Sequence, residues 1–317
     1  MGRENMKGLK PLVLCLLAIV FVTGCSDKQI DKTDENKIDI VATFYPMYDF
    51  TKNIAGDKAN ITLLIPSTIE PHDWEPTPKN VGDIQKADLF VYNSTDMETW
   101  VPTIKESASG SNVEFIEASK GITLLENHEE EEGHEDEEHD HSHEVDPHVW
   151  LSPVLAIKEV ENITDALVKV DPENKAYYQK NSEAYIEKLK NLDQKFKTEL
   201  KNRDSSQFIT QHTAFSYLAN EYDLVQVPIA GLSPDQEPSA AKLAELKDFA
   251  KEHAINVIYF EELASTKVAN TLAEELGAKT EVLNTLEGLS EKEQEAGKDY
   301  ISIMEENLNQ LKKTLFK

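Results

Sequence analysis

From Asp171 to about Arg203 the chain has no glycine, and its only proline is Pro172, at the very start. Asp171-Pro172-Glu173 reads as a helix start: a capping acid, a proline in the first turn, and an acid near the positive end. Tyr178, Tyr185, Leu189, Leu192, Phe196 and Leu200 then recur every three, four or seven residues, which lays one apolar stripe along a helix. About thirty residues at 1.5 Å each make a rod of roughly 45 Å. A coiled coil needs a longer and stricter heptad. The stretch therefore predicts a helix lying across two lobes, and the rest of the chain has to be divided around it.

Both flanks carry the same alternation. Before the rod, short apolar runs at 38–44, 61–65, 89–92 and 113–116 read as strands. Helical stretches fit 47–55, 78–87, about 98–107 and 153–170. After it, strands fit 207–210, 224–227, 257–260 and 280–283, with helices at 214–221, 239–253, 266–276 and 294–315. Strands alternating with helices imply mainly parallel sheet covered on both faces. The fold class is thus α/β: two lobes of mainly parallel sheet with flanking helices, joined by one long rigid α-helix. The lobes span 38–170 and 204–317, and the linking helix 171–203. No sequence repeat relates the lobes.

Residues 1–24 read as an export signal: Arg3, Lys7 and Lys10 precede an uncharged apolar core at 12–22, too short to span a bilayer comfortably. It ends in Val22-Thr23-Gly24-Cys25, which resembles a bacterial lipobox, so Cys25 is the expected lipidated first residue and 25–37 a polar tether. The other cysteine, Cys15, leaves with the signal, and no thiol remains for disulfides or a thiolate zinc site. Losing the signal removes three bases and one acid, moving the net charge from −27 to −29. Such a surface repels nucleic acid and anionic membranes and concentrates cations.

Within 126–145 lies a segment whose composition points the same way. His128, His134, His139, His141 and His143 stand among acids, with no lysine or arginine. Most charge runs are merely solvated. Acidity alone fits that reading; five histidines within sixteen residues do not. Imidazole favours zinc, copper and nickel, so these five are expected as accessory, low-affinity metal ligands in a segment too polar to fold alone.

Four further candidates lie just beyond predicted strands. His72 stands in Glu70-Pro71-His72-Asp73-Trp74-Glu75-Pro76, and His148 in Asp146-Pro147-His148-Val149-Trp150. His212 ends Phe208-Ile209-Thr210-Gln211-His212, and Glu287 ends Leu283-Asn284-Thr285-Leu286-Glu287. Ligands of open α/β sheets gather at the carboxyl ends of strands, so each lobe could aim two groups into one cleft. Three neutral imidazoles and a carboxylate make a tetrahedral zinc shell. Taken singly, a histidine in such a loop is usually a hydrogen-bonding surface residue and a glutamate is usually solvated. Spacing alone leaves both readings open. His253, near a predicted helix end, is expected to serve only the helix dipole.

The longer motifs carry a resemblance. They are Thr43-Phe44-Tyr45-Pro46-Met47-Tyr48, residues 70–78, Ala87-Asp88-Leu89-Phe90-Val91-Tyr92-Asn93, residues 146–153, residues 211–215, and Gly231-Leu232-Ser233-Pro234-Asp235-Gln236-Glu237-Pro238. In these the chain resembles the zinc-specific solute-binding lipoproteins of bacterial ABC metal importers, in the cluster A-I (cluster 9) family that also holds manganese-binding members. The resemblance implies metal ligands at His72, His148 and His212, with Glu287 as the fourth, less constrained in spacing. It implies Zn2+ as the transported ligand and a membrane permease with its cytoplasmic ATPase as partners. The expected form is a monomer anchored to the bilayer through Cys25 outside the cytoplasm of a Gram-positive bacterium. Manganese members place a carboxylate where this chain has His212, so the imidazole shifts preference towards zinc. A second role in cell adhesion is left open.

Two alternatives stand beside this reading: a carrier of manganese or another divalent metal, and a zinc-dependent hydrolase. A hydrolase would keep an open coordination position and a general base. The nearest approach to a catalytic helix motif, His134-Glu135-Asp136-Glu137-Glu138-His139, spaces its histidines five apart instead of four. No phosphate loop or nucleophile elbow appears, so no enzyme is expected.

Overall fold

The computed structural model describes residues 37–126, 145–234, 238–261 and 263–316. Cys25, the export signal, and His128, His134, His139, His141 and His143 lie outside the described residues. Residues Asn36–Lys317 form one compact unit.

The first lobe is a four-stranded parallel sheet of β1 (Ile38–Ala42), β2 (Ala59–Leu63), β3 (Leu89–Tyr92) and β4 (Glu114–Glu117), in the order β2-β1-β3-β4. The second repeats it with β5 (Gln207–Thr210), β6 (Val225–Pro228), β7 (Val257–Phe260) and β8 (Lys279–Val282), in the order β6-β5-β7-β8. Each lobe's first strand is therefore flanked by its second and third. The strand order reverses there, which opens a crevice at the carboxyl ends.

Side chains alternate across each sheet as a pleated strand requires. In the first lobe Ile40, Ala42, Leu89 and Val91 face a large central core. Their neighbours Val41, Phe90 and Tyr92 face a smaller outer one with Ile84 of α2 (Pro78–Ile84) and Val101 and Ile104 of α3 (Val101–Ser107). In the second lobe Phe208, Val257 and Tyr259 face the central core. Ile209 and Ile258 face an outer cluster with Leu246 and Ala250, Ala269 and Leu272, from the two outer helices.

The central core belongs to both lobes. It takes in α1 (Tyr45–Ala55), α4 (Pro153–Val170), the linking helix α5 (Lys175–Glu199), α6 (Ser216–Glu221) and, further along the chain, the C-terminal helix. The stripe read from the sequence is the buried face of α5: Tyr178, Tyr185, Leu189, Leu192 and Phe196. Asn181 and Tyr185 tie its first half to α1, through Ile54 O (3.0 Å) and Asp49 Oδ2 (2.8 Å). Asp193 accepts from Tyr222 of the second lobe at 3.2 Å. At 25 residues α5 is about 37 Å long, shorter than expected, because Pro172–Asn174 forms a separate 3-10 turn and Leu200 caps its end.

The remaining helices are α7 (Ala240–Glu252), α8 (Lys267–Leu276), α9 (Glu291–Glu295) and α10 (Tyr300–Leu315). The single helix expected over 294–315 is thus two. Gly297 at φ 66° breaks it, and Asp299 starts α10 afresh by accepting the Ser302 N–H. No described helix is long and apolar enough to cross a membrane.

Candidate metal centre

His72 sits in the loop after β2, whose ladder runs on through Leu64 N–H to Ala42 O and Ile65 N–H to Thr43 O, both 2.8 Å. Glu70 accepts the His72 backbone N–H at 3.0 Å and fixes the turn. His148 follows a pinched neck: Glu126 and Val145 form an antiparallel bridge, and Asp146 N–H donates to Leu125 O at 2.9 Å. Tyr217 of α6 holds that neck from the other lobe, accepting from Leu125 N–H and donating to Asp146 O.

His212 is two residues past β5. Its carbonyl accepts from Thr210 Oγ1 (2.9 Å) and Gln226 Nε2 (2.8 Å). Glu287 lies beyond β8 on a loop where Leu286 takes a left-handed φ of 59°. That strain is held by Asn284, whose Oδ1 accepts the Leu286 N–H at 2.7 Å and whose backbone pairs with the Asn307 amide of α10. Trp150 Nε1 donates to Thr285 O, binding this loop to the residue two past His148.

All four sequence candidates converge, two from each lobe. His72 Nε2 is 3.1 Å from Glu287 Oε1 and 3.2 Å from His148 Nε2. His148 Nε2 is 3.3 Å from both Glu287 Oε1 and His212 Nε2, and His212 Nε2 is 3.6 Å from Glu287 Oε1. A tetrahedral zinc shell with bonds of about 2.0–2.1 Å has ligand–ligand edges of about 3.3 Å. These five separations are close to those edges, and the sixth, between His72 and His212, lies within 4.8 Å. Glu287 offers one oxygen, since its Oε2 accepts from Thr285 Oγ1. His148, His212 and Glu287 are buried and His72 nearly so.

Two carboxylates behind the imidazoles set the tautomers. Asp146 Oδ1 lies 2.8 Å from His148 Nδ1, and Glu261 Oε1 lies 2.7 Å from His212 Nδ1. Each accepts from the Nδ1 side of its ring, so that Nε2 is the nitrogen that can offer a lone pair to a metal once its own proton has left. Reading the sequence missed both roles. Glu261 directly follows β7, the same kind of position that singled out His212, so the signal was there.

The charges respond to this setting. Burial disfavours a charged His212, but Glu261 and Glu287 outweigh it and push the imidazole up to about 10. Burial likewise opposes charge on His148, and Asp146 overcomes it to raise that ring too. His72 is lowered, because desolvation outweighs the support that Glu287 gives its charged form. Burial tends to raise Glu287, yet the three histidines hold it well below the usual carboxylate range. His253 ends α7 with its ring 4.3 Å from that of Phe249.

The model of one protein family, the zinc-uptake complex component A (ZnuA), matches residues 40–314. The chain belongs to this family. It is 60% identical over 313 residues to the high-affinity zinc uptake system protein ZnuA of Bacillus subtilis, covering 98% of each. It is 51% identical over 304 residues to the zinc-binding lipoprotein AdcA of Streptococcus pneumoniae, covering 96% of this chain and 60% of that one. The crystal structure of the Zn(II)-bound ZnuA-like domain of S. pneumoniae AdcA superposes with a TM-score of 0.77 at 49% identity, over 89% of this chain and all of that domain. The family is one of solute-binding proteins of metal transport, as the resemblance in the motifs implied.

Proposed function

We propose that the chain captures Zn2+ outside the cytoplasm, through His72, His148, His212 and Glu287, and delivers it to the permease of an ABC importer driven by a cytoplasmic ATPase. The observation that carries this is the four-donor cluster with tetrahedral edges, together with membership of a zinc-uptake family. Three imidazoles and one carboxylate suit zinc better than manganese, magnesium or calcium, which prefer oxygen. A hydrolase needs a vacant coordination position and a base aimed at it. Here four protein donors gather within 4.8 Å of one another, enough to fill a tetrahedral shell, and Asp146 and Glu261 are committed to the histidine Nδ1 atoms. A carrier, not an enzyme, is the reading this supports.

Lipidation at Cys25 places the protein on the outer face of the cell membrane as a monomer, and an acyl chain on Cys25 in the mass spectrum is the corresponding observation. The histidines of 126–145 serve as accessory, low-affinity ligands that raise zinc near the cleft. The neck beside Asp146 supports this, because its bridge at Val145 roots the segment three residues from His148. Calorimetry should therefore resolve one tight zinc per chain and several weak ones. Deleting residues 127–144 should abolish the weak ones and leave the tight constant within about tenfold, roughly 1.4 kcal/mol. Loss of the tight phase on deletion would make the segment the principal site and overturn this division.

A further inference from the structure

The loops bearing His72 and Glu287 meet backbone to backbone as well as through those side chains. Leu289 donates its N–H to Ser67 O at 2.8 Å. Gly288 sits against the same carbonyl, so close that a Cβ there would stand 2.1 Å from Ser67 O and 2.9 Å from Ser67 C. Its φ is outside the left-handed region, so the absent side chain serves close approach rather than backbone freedom. Leu263 Cδ1 would be 2.8 Å away, whereas Gly82 and Gly110 have open space around them.

We infer that Gly288 is a positioning residue of the metal site: it lets Leu289 lock onto Ser67, and that contact sets the separation of the His72 and Glu287 loops and the lifetime of bound zinc. The inference rests on the proposal that the four-residue cluster is the tight zinc site. Glu287 immediately precedes Gly288, and His72 follows Ser67 by five residues, with their ligand atoms 3.1 Å apart. A methyl group at 288 would have to push Ser67 O away by about 1 Å, while metal–ligand bonds tolerate only about 0.2 Å. Ser67 O is a backbone atom, so no rotamer change absorbs the push. The contact joins opposite lobes beside the His72–Glu287 edge of the cluster.

The test is stopped-flow transfer of zinc from loaded protein to excess chelator. Gly288→Ala should release zinc about ten- to a hundredfold faster, with capture within about threefold, because tuning of a contact acts mainly on dissociation. Gly82→Ala should behave as wild type. Adding Leu263→Ala to Gly288→Ala should not restore slow release, since Ser67 O still blocks the methyl; restoration would place the effect in side-chain crowding and overturn the inference. If wild type and Gly82→Ala hold zinc tightly and Gly288→Ala releases it no faster, the contact alone is wrong. If wild type holds no tight zinc, the site itself is wrong and this inference goes with it. Hydrogen exchange in the unaltered protein gives a second reading: zinc should slow the Leu289 amide by at least about tenfold. Equal exchange with and without zinc would also overturn the coupling.

Discussion

Titrated against a competing chelator, His212→Ala should bind zinc several hundredfold to a thousandfold more weakly than wild type. Closed four-ligand zinc sites are worth about 10–16 kcal/mol at neutral pH, so each ligand averages about 2.5–4 kcal/mol, or roughly two to three decades. Two features of His212 put it at the upper end. It is fully buried, so water has no open path to replace it, and its loss strands the Glu261 carboxylate without its ring partner. Glu261→Gln keeps the ligand and should lose only about ten- to a hundredfold, since it disturbs orientation rather than the bond. A His212→Ala protein with wild-type affinity would remove this residue from the site. The reverse ranking of the two variants would show that the charge of Glu261 matters more than the imidazole.

Acidification should release the metal steeply. With no metal bound, His212 and His148 both hold protons more tightly than a free imidazole, and at neutral pH zinc must displace the His212 proton to bind. The sign follows directly. A raised imidazole pKa means protonation is favoured over a wider range, so metal affinity climbs with pH until those groups would deprotonate unaided. Each displaced proton is worth about tenfold per pH unit. The proton on His212 predicts a loss of about tenfold per unit on going down from pH 7.5, His148 steepens the loss as the solution becomes more acid, and His72 follows last because its own pKa is lowered. Calorimetry in buffers of differing ionisation enthalpy counts the protons. A zinc constant flat between pH 5.5 and 7.5 would mean that the rings are neutral before metal arrives.

Much of this site was legible because its chemistry sits where strand periodicity ends. His212 stands two residues beyond the apolar run of β5, and all eight strands fall within about two residues of their expected positions. Glu287 was harder: four residues separate it from β8, and the left-handed turn at Leu286 that aims it leaves no mark in composition. The break between α9 and α10 escaped because α9, Glu291–Glu295, has no apolar residue whose phase could set it apart from the stripe that begins at Tyr300. The touch of Gly288 on Ser67 could not be read at all. It depends on two loops 221 residues apart arriving at one place, and nothing local to either glycine or serine encodes that.

The core that runs from Ile40 through α5 to Leu315 has a mechanical meaning. A receptor with two separate cores can fold shut over its cargo like a hand. Here the palms are already welded along the rod, and only the fingertips, loops of a few residues, are free to adjust. Capture then asks for little reordering, which suits rapid loading from dilute solution. A body joined in this way does not favour discharge by swinging open and leaves the loops at the rim as the place where the metal can be loosened.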